Sequence, residues 1–152
     1  YEYLWTNIRV KGGAYGCMSD FGRTGDCFFV SYRDPNLGQT IDVYEEAADF
    51  IGKYDASERT MTQYIIGTFS QLDMPLTASA KGRRSRDAYM RGLTFDMIQK
   101  ERDEVIQATP EDIRGLAAYI RAFMEDDFLC VVGSEQKIKA EEDKFMKMEN
   151  LF

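Results

Sequence analysis

An arginine and a tyrosine on either side of a glycine pair are the residues of this sequence best suited to chemistry. Arg9 and Tyr15 flank Gly12 and Gly13. Glycine has no Cβ and tolerates positive φ, so backbone or ligand can approach closely at such a turn. A guanidinium and a phenol that leave the chain around it could both hydrogen bond to one polar group. The sequence therefore presents a candidate site built on Arg9 and Tyr15.

Two other interpretations of the same stretch stay open at this point. A glycine pair is typical of a helix end, so the stretch could be a structural turn and no more. It could also cradle a phosphate, but the spacing Gly12-Gly13-x-x-Gly16 matches neither G-x-G-x-x-G nor the P-loop, and no strand clearly precedes it. The phosphate interpretation is the least favoured of the three.

Composition excludes several classes of function. None of the 152 residues is a histidine, so these residues cannot form a Ser-His-Asp triad, a Cys-His dyad or a zinc site that uses histidine. The formal net charge is -7, which makes nucleic acid a poor partner. No apolar run approaches the roughly 20 residues that cross a bilayer. We expect no metal ligands in this chain, and neither nucleic acid nor membrane as a partner.

The cysteines indicate a compartment. Cys17, Cys27 and Cys130 are odd in number and form no C-x-x-C pair, which suits free thiols in a reducing environment. We therefore expect an intracellular protein, in the cytoplasm if it is bacterial and in an organelle matrix if it is eukaryotic.

The elements that must position the site begin with a short helix and a hairpin. Residues 1–9 have helical spacing from the first residue, without an N-cap before it, so we expect a longer parent chain. Aromatic and β-branched residues then predict a β-hairpin over 15–33. A turn centred on Arg23 and Thr24 sets its register, and apolar residues on both faces predict cover on both sides. In that register the facing pairs are Tyr15 with Tyr32, Cys17 with Val30, and Ser19 with Phe28.

Helices make up most of the remaining chain. Apolar spacing predicts helices over 41–52, from an Asp55 cap to Leu72, over 77–91, and after the caps Thr94 and Thr109. The apolar run 128–132 predicts a buried strand, and the spacing of Ile138, Phe145 and Met148 predicts a last helix. The methionines are expected to pack in the core. The fold class is α+β, with an antiparallel-rich sheet covered by helices in a single domain over 1–152.

The stretch 8–16 resembles the C-terminal half of the pitrilysin/insulinase class of zinc metallopeptidases, and within it the presequence protease subfamily. The pattern R-x-K-G-[GA]-A-Y-G recurs there, and Arg9 and Tyr15 keep its spacing of six residues. The likeness continues in order along essentially the whole chain, through residues 31–36, 58–61, 75–77, 89–94 and 109–113.

The resemblance implies roles for the candidate residues. Full-length members hold zinc through an H-x-x-E-H motif and a distant glutamate in their N-terminal half. The C-terminal half, of related metallohydrolase-like fold, closes over it and encloses a chamber for unfolded peptides. Arg9 and Tyr15 match the arginine and tyrosine that bind the substrate backbone and the oxygen at the scissile bond. Gly12 and Gly13 lie in the same substrate-binding turn.

The absence of histidine limits what this chain can do alone. The first hypothesis is a C-terminal fragment of a zinc-dependent metalloendopeptidase that degrades unstructured peptides. In it, zinc is a cofactor of the full-length enzyme only, and the partners are the N-terminal half of the same polypeptide and the unfolded peptide. The fragment alone is then inactive, and an unpaired sheet edge favours its self-association. The alternative is a non-catalytic peptide-binding or structural assembly module of pitrilysin-type fold.

Overall fold

The computed structural model describes residues 2–22 and 25–150. The fold is α+β, as predicted, with helices and one two-stranded antiparallel sheet in the described part of the chain. The chain divides into two compact units. The first comprises residues up to 53 together with those from 115 onward, and the second comprises residues 54–114. No helix among the described residues is long and apolar enough to cross a membrane.

The first unit carries the candidate site on its earliest elements. A π-helix leads through the glycine turn into the two strands of the hairpin, and the other helices of the unit follow. Their bounds are Trp5–Lys11 (π-helix), Gly16–Phe21 (β1), Cys27–Tyr32 (β2), Leu37–Glu45 (α1), Ala47–Gly52 (α2), Ala117–Glu125 (α7) and Glu135–Lys139 (α8), with a 3-10 turn over Glu142–Lys144.

The hairpin forms where the sequence predicts it, but its predicted register is wrong by one residue. Gly16 lies opposite Tyr32, and the pairs continue to Phe21 opposite Cys27. The Gly22 amide donates to the Asp26 carbonyl at 2.7 Å, so three residues, not two, lie between the last hydrogen-bonded pair of the hairpin. Gly25 takes φ 88°, the left-handed conformation that ends a three-residue hairpin loop. The predicted loop centre, Arg23 and Thr24, lies outside the described residues.

Only one face of the hairpin is covered by described residues. On the inner face, Phe29 stacks on Tyr44 of α1 with ring centroids 5.1 Å apart, and it meets Phe123 of α7 edge to face at 5.6 Å. The outer face exposes Met18 and the alternate residues of β2, including Val30. The prediction of cover on both sides is therefore wrong for this part of the chain. The period-2 alternation of β2 produces this split between the faces.

The core of the first unit is small and lies between α2 and α7. Ala47, Ala48 and Ile120 are buried there, with Tyr3, Phe29, Ile51 and Met124 packed around them. Small side chains let the two helices approach closely, and an added Cβ on Gly52 would lie 3.5 Å from that of Ala117. At the edge of this core the Tyr3 ring stacks on the Phe50 ring, with the two ring centroids 4.5 Å apart.

The predictions for the end of the chain are wrong. Residues 128–132 form no strand, and Phe128 is 92% exposed. A strand needs a partner for its backbone groups, and no described strand pairs with this run. The last helix ends at Lys139, so Phe145 and Met148 do not share its face. Five methionines predicted to be in the core are exposed: Met74, Met90, Met97, Met146 and Met148.

The second unit consists of helices that begin at side-chain caps. They are α3 (Glu58–Leu72), α4 (Ala78–Met90), α5 (Phe95–Gln107) and most of α6 (Pro110–Gly115). Ser57, not the predicted Asp55, caps α3, because its hydroxyl accepts from the Thr60 amide at 3.2 Å. The predicted cap Thr94 is confirmed. Thr109 is confirmed too, and the Asp112 carboxylate accepts from its amide at 2.8 Å in return, as in a capping box.

Long-range polar contacts join the helices of this second unit. Arg102 on α5 makes a bidentate ion pair with Asp73, at 2.5 and 3.0 Å, and also lies over the Phe69 ring. Hydrogen bonding from Arg102 lowers the pKa of the Asp73 carboxyl. The basic cluster at 81–86 on α4 is exposed, as a solvated helix face should be.

Candidate functional site

The π-helix ends at the glycine turn through an ordered set of backbone hydrogen bonds. The Gly12 amide donates to the Asn7 carbonyl at 3.0 Å, five residues back, and the Gly13 amide donates to the Arg9 carbonyl at 2.9 Å. The Ala14 amide reaches the carbonyl of Ile8, the most deeply buried side chain described. These bonds fix where the chain leaves the helix, and they use the amides of both glycines.

Each glycine of the turn meets a different steric requirement. An added Cβ on Gly12 would lie 2.5 Å from the Ile8 carbonyl oxygen, which leaves no room for a side chain. Gly13 has φ 79°, which side chains rarely adopt, and it lies against Pro35. The predicted role of Gly12 and Gly13 in substrate binding stays a prediction. With both amides already engaged, such a role would rest on close approach.

Asn36 ties the glycine turn to the loop that follows β2. Its side-chain amide donates to the Gly12 carbonyl at 2.5 Å. Asp34 shapes that loop as an Asx-turn, since its carboxylate accepts from the backbone amide of Asn36 at 2.9 Å. The carboxylate also accepts from the Thr40 hydroxyl at 2.6 Å. The carbonyl left at the helix end thus gains a partner. The glycine turn before Tyr15 is thus held to the loop that follows β2.

Arg9 projects from the π-helix and lies over an aromatic ring. Its guanidinium carbon is 4.0 Å from the ring centroid of Trp5, one turn earlier. Stacking on indole holds the guanidinium plane while its N–H groups can still hydrogen bond, and Arg9 is exposed. Trp5 is a residue of the site that was not predicted, although its position four residues before Arg9 on a helical segment indicates this contact.

Tyr15 stands at the start of the hairpin on its exposed side. Its amide donates to the Tyr32 carbonyl at 3.0 Å, and the two rings meet edge to face with centroids 5.9 Å apart. The Tyr15 side chain is 66% exposed, so its hydroxyl is available to a ligand. No hydrogen bond or ring contact joins Arg9 to Tyr15 directly in the described part of the chain. A shared ligand would therefore have to bridge the two side chains.

A second guanidinium lies beside Tyr15. Arg33 follows β2, and its guanidinium carbon is 5.8 Å from the Tyr15 ring centroid and 5.4 Å from that of Tyr32. The backbone of Arg33 has φ 50°. By residue type, the pair Arg33-Asp34 at the end of the hairpin suits either a turn salt bridge or an Asx-turn. The Asx-turn is present, and the structure gives Arg33 no ion pair within residues 2–22 and 25–150.

Two titratable groups, one on α1 and one on β1, have raised pKa values. Burial raises the pKa of the Tyr44 hydroxyl to about 12. That hydroxyl is buried without a hydrogen-bonding partner among the described residues. Burial also raises the pKa of the Cys17 thiol, an effect that the positive charge of Arg9 partly opposes. A raised thiol pKa makes Cys17 a weak nucleophile, so it is a packing residue here.

The described residues offer few metal ligands. The chain has no histidine, and no described group of three Cys, Asp or Glu side chains could hold one. What the arrangement offers is hydrogen-bond donors of positive or polar character: the Arg9 guanidinium, the Tyr15 hydroxyl and the Arg33 guanidinium. Such groups bind carbonyl or carboxylate oxygens and stabilise negative charge that develops on them.

Known proteins resemble this chain over almost all of its length. A family model described as the PreP C-terminal domain matches residues 1–135. "Protein HypA" of Clostridium perfringens is 41% identical over 151 residues, which is 99% of this chain and 16% of that protein. The chloroplastic/mitochondrial presequence protease 1 of Arabidopsis thaliana is 34% identical over 91% of this chain and 13% of its own length.

A fungal relative is similar over a comparable part of this chain. The mitochondrial presequence protease of Aspergillus fumigatus is 32% identical over 94% of this chain, which corresponds to 13% of that protease. This chain therefore spans about one sixth or less of the length of these relatives.

Proposed function

The chain belongs to the PreP C-terminal domain family, and on that premise we propose that it supplies the substrate-facing residues of a zinc-dependent metalloendopeptidase that degrades unstructured peptides. The observation that carries the proposal is the geometry of residues 5–15. There an exposed guanidinium stacked on Trp5 and an exposed phenol leave the chain on either side of a fixed glycine turn. Relatives named presequence proteases support the peptidase context.

Arg9 and Tyr15 have distinct parts in this proposal. When a nucleophile adds to the scissile carbonyl, negative charge develops on its oxygen, and preorganised donors aimed at that oxygen stabilise the transition state. Tyr15 donates its hydroxyl proton in a hydrogen bond to this oxygen. Arg9 binds neighbouring backbone carbonyls of the peptide with its planar fork of N–H groups. The glycine turn lets the extended peptide approach the backbone closely.

The zinc ion belongs to another part of the polypeptide in this proposal, because the residues of this chain do not suit it. The partners are accordingly the N-terminal half of the same polypeptide and the unfolded peptide substrate. The two presequence proteases are named as chloroplastic/mitochondrial and mitochondrial proteins, and we infer an intracellular, reducing compartment for this protein as well.

Kinetics of two variants in the full-length protein test the proposal. Arg9→Ala and Tyr15→Phe each remove one donor from an exposed side chain, so the fold should be retained. Removal of one oxyanion donor typically costs about 10²- to 10³-fold in kcat, and we expect a loss of that order for Tyr15→Phe. Arg9→Ala should also raise KM, because it removes binding to the peptide backbone.

Two exposed residues of the second unit supply matched controls for the same chemical changes. Arg59→Ala and Tyr89→Phe remove a guanidinium and a hydroxyl from exposed positions on α3 and α4, and both should retain kcat. An unchanged kcat in Tyr15→Phe would contradict the oxyanion role and favour the alternative of a non-catalytic peptide-binding or assembly module.

The isolated chain gives a second test. We expect it to leave a fluorogenic peptide intact, with or without a metal chelator, since it has no histidine to complete the inverted zinc motif. Chelator-sensitive cleavage by the isolated chain would contradict the division of the site between two parts of the polypeptide.

A further inference from the structure

We propose that Arg33 is a positioning residue for Tyr15, holding the phenol ring in the orientation from which its hydroxyl reaches the substrate. This inference rests on the proposed function of Tyr15 and adds a residue that acts through it. Two independent features of the structure carry it: the contacts of the guanidinium and the backbone conformation of Arg33.

The first feature is the contact geometry. The Arg33 guanidinium carbon lies 5.8 Å from the Tyr15 ring centroid and 5.4 Å from that of Tyr32, and these two rings themselves meet edge to face at 86°. Within about 6 Å of an aromatic face, a guanidinium is attracted by the ring quadrupole. One cation therefore contacts both rings of a pair and limits the rotation of the exposed Tyr15 ring.

The second feature is the backbone. Successive residues of a strand point to opposite faces, so Arg33 in extended conformation would point away from Tyr32. Its φ of 50° breaks this alternation and places the guanidinium over the ring of the preceding residue. Asn and Gly adopt this conformation more readily than Arg. Strained backbone of this kind is concentrated at functional sites.

An ion pair with the neighbouring carboxylate does not explain the position of the Arg33 guanidinium. Both oxygens of Asp34 are engaged, one with the Asn36 amide and the other with the Thr40 hydroxyl. The Arg33 side chain is exposed, and among the described residues its contacts are the two tyrosine rings. A guanidinium that only closed a turn would be expected to pair with that adjacent acid.

Two substitutions of Arg33 in the full-length protein test the inference without straining the backbone. Arg33→Asn and Arg33→Gly keep a residue that tolerates φ 50° and remove the guanidinium. We expect each to lower kcat about tenfold while KM changes less than about twofold, because misorientation of one catalytic group mainly affects the transition state. Asp127→Gly is the matched control, since Asp127 also has φ 50° but lies after α7, and it should retain kcat.

A double-mutant cycle separates positioning from direct substrate contact. In a Tyr15→Phe background the hydroxyl to be positioned is gone, so Arg33→Asn should cause no further loss of kcat. An equal loss in both backgrounds would overturn the inference, and so would wild-type kcat in Arg33→Asn. If Tyr15→Phe itself leaves kcat unchanged, the proposed function fails first, so the two failures are distinguishable.

A spectroscopic readout in the same full-length variants is independent of catalysis. The Tyr15 ring signals in an NMR spectrum of protein labelled on tyrosine should shift in Arg33→Asn and stay in place in Asp127→Gly. Unshifted Tyr15 signals in Arg33→Asn would overturn the inference.

Discussion

The side-chain amide of Asn36 donates a hydrogen bond to the carbonyl oxygen of Gly12 across 24 positions of sequence. This bond links the loop after β2 to the end of the π-helix, three residues before Tyr15, whose amide pairs with Tyr32 at the end of β2. The position of Tyr15 relative to Arg9 therefore depends on a contact made by neither residue.

Asn36→Ala should destabilise the protein by about 1 kcal/mol, because it removes one hydrogen bond and leaves the carbonyl of the buried Gly12 without its side-chain partner. Chemical denaturation measures this change. Gln39→Ala on the exposed side of α1 is the control and should shift the midpoint little. A midpoint for Asn36→Ala equal to that of the control would show that the bond contributes nothing to stability.

Alanine substitutions at the glycines of the turn should destabilise the protein to different extents. Gly12→Ala places a Cβ 2.5 Å from a backbone oxygen, so the helix end must shift and the loss should exceed that of Gly13→Ala. Gly13→Ala introduces strain at φ 79°, worth about 1–2 kcal/mol. Gly16→Ala meets nothing within 4 Å and serves as the control. Thermal denaturation measures these losses, and a larger drop in Tm for Gly13→Ala than for Gly12→Ala would contradict this account.

The buried hydroxyl of Tyr44 predicts that the stability of the protein falls at alkaline pH. Because burial raises its pKa to about 12 from 10.0, the folded state favours the neutral phenol. This contribution to stability is complete below pH 10 and is lost as the pH rises from about 10 to 12. Tyr44→Phe removes the ionisable group and an unpartnered polar atom.

Denaturation of wild type and Tyr44→Phe at several pH values measures this effect. The variant should be at least as stable as wild type at pH 8, and its advantage should grow by pH 11. Tyr119→Phe, at a 74% exposed ring, is the control for loss of a hydroxyl. A constant difference between wild type and Tyr44→Phe from pH 8 to pH 11 would contradict the proposed burial of this group.

The exposed apolar residues near the end of the chain predict self-association of the isolated chain. Phe128 is 92% exposed and Val132 is 75% exposed, in an apolar run that pairs with no described strand. We expect light scattering to show a mass above that of the monomer at high concentration, and Phe128→Asp to lower it. A monomer at all concentrations would contradict this prediction.

Local signals in the sequence were the most reliable guide to the fold. Thr94 and Thr109 were identified as caps because a cap depends on neighbours within a few residues. At α3 the spacing of Asp55 and Glu58 pointed to the wrong cap, because Ser57 is also a preferred cap residue and lies only two positions later. The strand at 128–132 was wrong because strand formation depends on a partner elsewhere in the polypeptide.

The site was predictable only in part for the same reason. Arg9, Gly12, Gly13 and Tyr15 lie within one local stretch, so their spacing was visible. The contact of Arg33 with Tyr15 depends on the hairpin register, which a third loop residue shifted by one, and on a left-handed residue that is not a glycine. Sequence spacing specifies neither of these two features.

In the proposed function, Tyr15 interacts more strongly with the transition state than with the substrate, whereas Arg9 binds the peptide backbone. This claim about Tyr15 is tested most directly by the affinity of the full-length Tyr15→Phe variant for a peptide that carries a tetrahedral phosphinate at the scissile position. We expect that affinity to fall by the same factor as kcat/KM, while the affinity for an uncleaved peptide changes little. Equal affinity of wild type and Tyr15→Phe for the phosphinate peptide would contradict the claim.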